Sequence, residues 1–190
     1  MTVDRLSRAR LSQCVTGVPP SLGRPILAAG QDALSAANED AAVGNALHTS
    51  IIITGGEALP VLVIDGGNFS DLDGFAREFS SLLCHYAWNG NLDAFNDILR
   101  GGFGTPEDGW VFRWINSDLS RAALSHHATI RWLEQILRTC HPSNRASVRA
   151  RISDAQQGRG PTLFDMLVEI VRAHGAGGEE FEDGVVLELM

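Results

Sequence analysis

The sequence contains no lysine. All 15 basic residues are arginine, set against 23 Asp and Glu in 190 residues, for a formal charge of −8. The missing Lys reads as codon bias and has no functional meaning, but the negative balance is a poor match for a phosphate backbone, which favours clustered basic side chains. A nucleic-acid partner is therefore not expected, and a basic protein partner is. Cysteine is scarce: Cys14, Cys84 and Cys140 are odd in number and widely spaced, unlike the disulfide framework of a small secreted domain. Cys84 follows Leu82 and Leu83 in an apolar helical run and is expected as a buried thiol. Long apolar runs are also missing. The best, Ile51 to Ile53 and Val61 to Ile64, are strand-sized, against the roughly 18–20 residues of a membrane span. The first ten residues carry charge without the apolar stretch of a signal peptide. The expectation is a soluble, cytoplasmic protein with no membrane partner. With 44% hydrophobic and 20% charged residues it can bury a core, and its length suits one domain with an appendage.

Charge divides the chain. Residues 1–56 hold four acids and four Arg and are neutral; 57–120 hold 10 acids and 3 Arg (−7); 121–159 hold 7 Arg and 2 acids (+5); 160–190 hold 7 acids and 1 Arg (−6). Two acidic segments flank a basic one.

The first fifty residues, with Pro19-Pro20, Gly23 and many Ala and Ser, promise little core; an Ala-rich helix over Gln31–Leu47 and a short strand at Thr49–Thr54, broken by Gly55-Gly56, are the readable features. From Leu59 the pattern sharpens. Val61-Leu-Val-Ile64, ending at Asp65-Gly-Gly, has the continuous apolar character of a buried parallel strand. Ser70-Asp-Leu-Asp73 reads as a capping box opening a helix with Leu72, Phe75, Phe79, Leu82 and Leu83 on one face. Asn91 is the expected N-cap of a second helix ending at Gly101-Gly102. A strand at Gly109–Ile115, a short helix at Ser117–Leu124, and helices at Thr129–Thr139 and Asn144–Gln157 follow. A second capping box, Thr162 to Asp165, starts a helix with Leu163, Met166, Leu167, Ile170, Val171 and His174 in one stripe, and Gly184–Met190 is the final strand. Strands separated by helical crossovers imply a small parallel sheet.

On the second helix, at about 100° per residue, Leu92, Phe95, Ile98 and Leu99 share one side. Asp93, Asn96, Asp97 and Arg100 share the other. Asp93 and Asp97 thus face outward one turn apart, a pairing that costs a few tenths of a kcal/mol in an isolated helix and that the N-terminal dipole partly offsets at Asp93. Such a face is most simply a solvated one.

The strand and glycine turn at Val61–Gly67, the segment Trp88-Asn-Gly-Asn-Leu-Asp-Ala-Phe-Asn-Asp-Ile-Leu-Arg-Gly101 and the order of elements to the final strand resemble the barstar family, the intracellular protein inhibitors of barnase-type ribonucleases. The resemblance implies an α/β fold: a three-stranded parallel sheet packed by helices, here with a basic helical insertion at 126–160 before the last helix and strand. It assigns 57–190 to the barstar-like domain. Residues 1–56 are left as an N-terminal extension, either partly disordered or adding a short strand. It also implies a mechanism, in which the second helix and the loop before it plug a ribonuclease active site. Asp97 corresponds to the carboxylate that stands in for the substrate phosphate, and Asp93 to a second contact. Trp88, Gly90 and Asn91 would shape the loop. The family's aromatic positions are not matched in register: Ala87 stands beside Tyr86, Asn96 occupies the middle of the helix, and Gly102 precedes Phe103. The expected partner-facing anchors are therefore Tyr86, Trp88 and Phe103. The family's acidic contact from the last helix has no counterpart in register; Glu169 lies nearest.

The expected function is thus a non-enzymatic inhibitor of a basic, barnase-like ribonuclease, monomeric when free and without cofactor or metal. The alternative is an immunity or interaction module of the same fold that binds another basic protein or toxin. A third reading, an enzyme using Asp93 and Asp97 for acid–base work, lacks the burial that retunes catalytic carboxylates. His127 and His141, 14 residues apart on one helix, would stand about 21 Å apart, too far to share a zinc ion with His126 and Cys140. Cys84 and His85, as sequence neighbours, point to different helix faces. The glycine groups at 101–104 and 175–178 lack the context of a phosphate-binding loop. The run Glu179–Asp183 reads as a solvated acidic loop or as a second contact with a basic enzyme.

Overall fold

The computed structural model describes residues 50–54 and 57–190, with side chains from Leu59 onward. The helix expected at Gln31–Leu47, and most of the expected extension, lie outside the described residues. Strand β1 (Ser50–Thr54) pairs antiparallel with β2 (Glu57–Asp65), Ser50 opposite Val61 and Thr54 opposite Glu57. Strand β3 (Trp110–Ile115) runs parallel to β2, and β4 (Val185–Leu189) parallel to β3, giving the order β1-β2-β3-β4. The three parallel strands are those the resemblance implies, and β1 adds a fourth along the outer edge of β2.

Alternation along β3 decides which face the helices cover. Trp110, Phe112 and Trp114 are fully buried on one side. On the other side Arg113 pairs at 2.7 Å with Glu188, its register partner on β4. The aromatic side is met by Phe75 and Phe79 of α1 (Leu72–Ser80), by Phe95 of α2 (Leu92–Leu99) and by Phe164 of α6 (Leu163–Ala173), with ring centroids 4.9 Å apart for Phe79–Phe95, 5.0 Å for Phe75–Trp114 and 5.1 Å for Trp114–Phe164. Each such ring is worth roughly 1.5–3 kcal/mol when fully buried, so this layer holds helices and sheet together.

Three helix starts are fixed by side chains. Asn91 accepts from the Asp93 and Ala94 amides, and Thr162 with Asp165 forms the expected capping box. At α1 the structure departs from the sequence reading. Asp71, not Ser70, is the cap: its carboxylate accepts from Gly74 N at 2.8 Å, so the helix begins one residue later and Ser70 stays outside it. Cys84 also differs from expectation. The helix ends at Ser80, and Cys84 lies beyond it, half-buried.

After α3 (Ser117–Ala123) the chain makes its excursion, α4 (His126–Thr139) and α5 (Arg145–Gln156), before α6. The excursion closes at its base. Phe164 N donates to Leu124 O at 3.2 Å and Leu163 N to Thr129 Oγ1 at 2.9 Å, so the two ends of the excursion are hydrogen-bonded to each other. On α5 only Val148 and Ala155 are buried, while Arg145, Arg149 and Arg151 face outward, so the basic segment is an outer layer.

The turn after β2 packs on the start of α3 so closely that a Cβ on Gly66 would stand 2.2 Å from Ser120 Oγ and 2.3 Å from Asn116 O. Ser120 Oγ is itself held by Trp114 Nε1 at 2.7 Å and cannot simply swing aside. Gly66→Ala should therefore destabilise by about 1–3 kcal/mol, read as a lowered urea midpoint at unchanged slope. Gly67→Ala, whose methyl meets only the side chains of Asp65 (3.1 Å) and Asn116 (3.7 Å) and no backbone, should cost less.

Candidate partner-binding site

Helix α2 is anchored through Phe95, Ile98 and Leu99, all buried, and leaves the opposite side to solvent. The loop before it is set by Trp88. Its ring lies against Phe75, Phe79 and Phe95 at centroid distances of 5.7, 5.8 and 5.2 Å, and its Nε1 donates to Asn91 O at 2.7 Å. Trp88 N donates to Ser80 Oγ at 2.9 Å, tying the loop to the end of α1. Gly90, buried between Trp88 and the cap, has φ of +85°, a left-handed conformation that a side chain would strain. At the far end Thr105 Oγ1 donates to Ile98 O at 2.6 Å, and Cys84 N donates to Phe103 O at 2.7 Å, joining the loops on either side of α2. That junction places the Tyr86 and Phe103 rings 4.9 Å apart.

The outward side of α2 carries an ion network. Arg100 grips both carboxylate oxygens of Glu180 (Nε–Oε2 2.6 Å, Nη2–Oε1 2.8 Å) and reaches Asp97 Oδ1 with Nη1 at 3.0 Å. Asn96 donates its amide to Glu180 Oε1 at 3.3 Å and turns its Oδ1 toward His174 Nε2 at 3.1 Å. The other ring nitrogen of His174 lies 2.7 Å from Asp183 Oδ2 and 3.5 Å from Glu180 Oε2. Thus the acidic loop Glu179–Asp183, 80 residues away in sequence, is fastened to α2, and His174 is completely buried beneath the junction. The fork between Arg100 and Glu180 is the strong geometry of a charge-assisted pair. The Asp97–Arg100 pair is exposed on both sides and belongs to the class worth about 0–1 kcal/mol.

The structure brings Asp93, Asp97, Asn91, Tyr86 and Phe103 to the surface around α2, and separates the rest. Asp93 and Asp97 are both exposed, Asp97 with 65% of its side chain in solvent. Tyr86 is 39% exposed and Phe103 half-buried. Trp88, expected as a partner-facing anchor, is 3% exposed and acts through the loop it holds. Asn96 is half-buried and turned to His174 and Glu180 rather than outward. His174 is the residue that the sequence reading missed; Glu180 and Asp183 were read only as a solvated loop or a second contact, and Arg100 only as part of the outward face, so the junction between them was not foreseen.

His174, Glu180 and Asp183 bring three ligand-type atoms within 4.8 Å of one another, the one such group among the described residues. Those atoms are already engaged, Asp183 Oδ2 by His174 Nδ1 and Glu180 Oε2 by Arg100 Nε, which explains their closeness. His126 meets Gly160 O, and His141 meets Ser143 Oγ. Among the described residues, no helix is long and apolar enough to cross a membrane.

A family model described as Barstar (barnase inhibitor) matches residues 59–164, from β2 into the first turn of α6, and encloses α2, both its loops and the α4–α5 hairpin. No curated protein and no solved structure matches the chain.

Hydrogen bonds from Arg100 hold the Glu180 carboxyl at about 2, well below its ordinary 4.5; partial burial opposes the shift, and Asn96 adds to it. A carboxylate lowered on folding contributes stability above its unfolded pKa and loses it as pH falls toward the folded value. Wild type should therefore lose this contribution between pH 4.5 and about 2. Glu180→Gln should melt lower than wild type at pH 6, and the gap should close across that window in a pH series of melting temperatures.

Proposed function

The chain belongs to the barstar family, and from that premise we propose that it is an intracellular inhibitor that occludes the active site of a basic, barnase-type ribonuclease with α2 and the loop Tyr86–Asn91. The observation that carries this reading is the presentation of Asp93 and Asp97, exposed one turn apart on a helix whose inner side is locked in the core. A rigid carboxylate loses little freedom when it is bound. Asp97 offers two oxygens to the arginine or lysine side chains that would otherwise hold a substrate phosphate. Its surface pair with Arg100 is weak enough to be rearranged when a second cation arrives. Asp93 supplies a second acidic contact at the helix N-terminus, and Tyr86 with Phe103 supplies the aromatic area beside it.

Acidic and basic surfaces also speed encounter. The protein carries −8 overall, and its two acidic segments meet on this side of the fold through Arg100, Asn96 and Glu180. A second reading, a different basic protein as target, is favoured by one feature: Trp88 and Asn96 are occupied internally, which leaves exposed Tyr86, backed by half-buried Phe103, as the aromatic contact next to α2.

In an RNA-cleavage assay with barnase-type ribonucleases, the purified protein should suppress hydrolysis stoichiometrically. Asp97→Ala should weaken binding by about 2–5 kcal/mol, the usual effect of removing one member of a desolvated charge pair, or roughly thirtyfold to a few thousandfold in Kd. Its melting temperature should hardly change. Full cleavage in the presence of excess wild-type protein would reject ribonuclease inhibition, and co-purification of a basic protein without nuclease activity would support the second reading.

A further inference from the structure

A cleft of about 760 Å³ opens at the N-terminal end of α2, between the loop that caps it and the inserted hairpin. Its floor is apolar, made by Leu72 of α1, Leu92 of α2, Trp132 and Ile136 of α4, and Met166 and Ile170 of α6, all half-buried. Its mouth is polar, with Asp73 and Asp93 on one side and Arg151 on the other, all exposed. Two observations say what fits there. Asp93 lines both this cleft and the outward face of α2, so a protein seated on Asp93 and Asp97 also lies over the mouth. Among the described residues neither Asp73 nor Asp93 has an ion-pair partner. Arg151 does not supply one: its guanidinium lies 5.6 Å over the Trp132 ring and 3.4 Å from Met166 Sδ, leaning on the floor.

We propose that this cleft is a second docking pocket for the ribonuclease of the preceding section, a reading on which it rests. It receives an apolar side chain from a basic loop of the enzyme while a Lys or Arg of the same loop lies between Asp73 and Asp93. The size admits the tip of a protruding loop together with its apolar side chain. The polar groups stand around the mouth, whereas those that orient a small molecule converge inside a pocket. An anchor that fills a pocket beside a charged contact is the arrangement in which interface energy concentrates. The hairpin that builds one wall thereby gains a function: it selects among basic nucleases by the loop that they can insert.

The test uses the full chain and a barnase-type ribonuclease that wild type inhibits. Gln135→Trp and Thr139→Trp place bulk at exposed positions lining the mouth, and each should raise Kd at least tenfold, chiefly through faster dissociation, with the melting temperature preserved. Asp73→Asn should raise Kd about threefold to tenfold, less at high salt, and it decides the matter alone if either tryptophan variant fails to fold. Asp97→Ala is measured alongside. If Asp97→Ala weakens binding while the cleft variants match wild type, the pocket is refuted and the α2 reading stands. If wild type inhibits no ribonuclease, both fall together.

Discussion

The position of α2 against the aromatic face of β3 is the constraint on which the rest of the molecule depends. Phe95, Ile98 and Leu99 reach the same layer that Phe75, Phe79, Phe112 and Trp114 build. Trp88 enters that layer from the loop, and through Nε1 fixes the carbonyl of the very residue that caps the helix. One aromatic side chain therefore couples core packing to the start of α2. Without it, Asn91 would lose its carbonyl anchor, Gly90 its reason for a left-handed turn, and Asp93 its fixed direction. Interiors packed at this density respond to change in steps rather than smoothly, and that is what makes an exposed carboxylate on such a helix a preset contact rather than a mobile one.

A second, polar constraint acts from the other flank. Asn96 is an amide in the middle of α2, on its polar side, and its two ends meet Glu180 and buried His174. Breaking one member of such a network leaves its partners unsatisfied at about 1–3 kcal/mol each, so Asn96, His174, Glu180 and Asp183 stand or fall together. The arrangement fastens the acidic loop to α2. It also supplies Arg100 with a carboxylate other than Asp97: because the bidentate grip is on Glu180, Asp97 is touched by a single nitrogen. The network thus leaves Asp97 the more available of the two acids.

Much of this was legible in the residues. The strands at Val61–Ile64 and Trp110–Ile115, the cap at Asn91 and the capping box at Thr162 are local features, and local chemistry decides them. The error at α1 has the same origin: Ser70 and Asp71 are both good caps, and only the hydrogen bond to Gly74 N separates them. What could not be read was contact over long separation. The wheel put Asn96 on the polar side of α2 and His174 on an apolar stripe, and both placements are correct. That the two side chains meet 78 residues apart follows from the packing of α6, which His174 ends, against α2, a contact that no periodicity encodes. Trp88 shows the converse. Its place in the loop before α2 was clear, but whether its ring faced outward or inward was decided by the room among Phe75, Phe79 and Phe95.

The segmental charges acquire a geometry from the fold. The −7 and −6 segments, separated in sequence by the whole +5 segment, converge at Arg100, Asn96 and Glu180. The +5 segment that divides them is lifted out as the α4–α5 hairpin and reaches α2 only across the cleft, where Arg151 rests on Trp132. The outward side of α2 therefore has Asp93 free of an ion pair among the described residues, Asp97 and Glu180 joined through Arg100, and Arg151 across the cleft on the hairpin flank. A uniformly acidic patch attracts a basic protein in any rotation about the line of approach. A patch with a basic flank penalises orientations that bring partner cations onto the hairpin, by like-charge repulsion acting over roughly a Debye length of 8–10 Å. For the basic partner proposed above, the hairpin would bear on recognition before any atom of the cleft is filled, by restricting the angle of approach to Asp93 and Asp97.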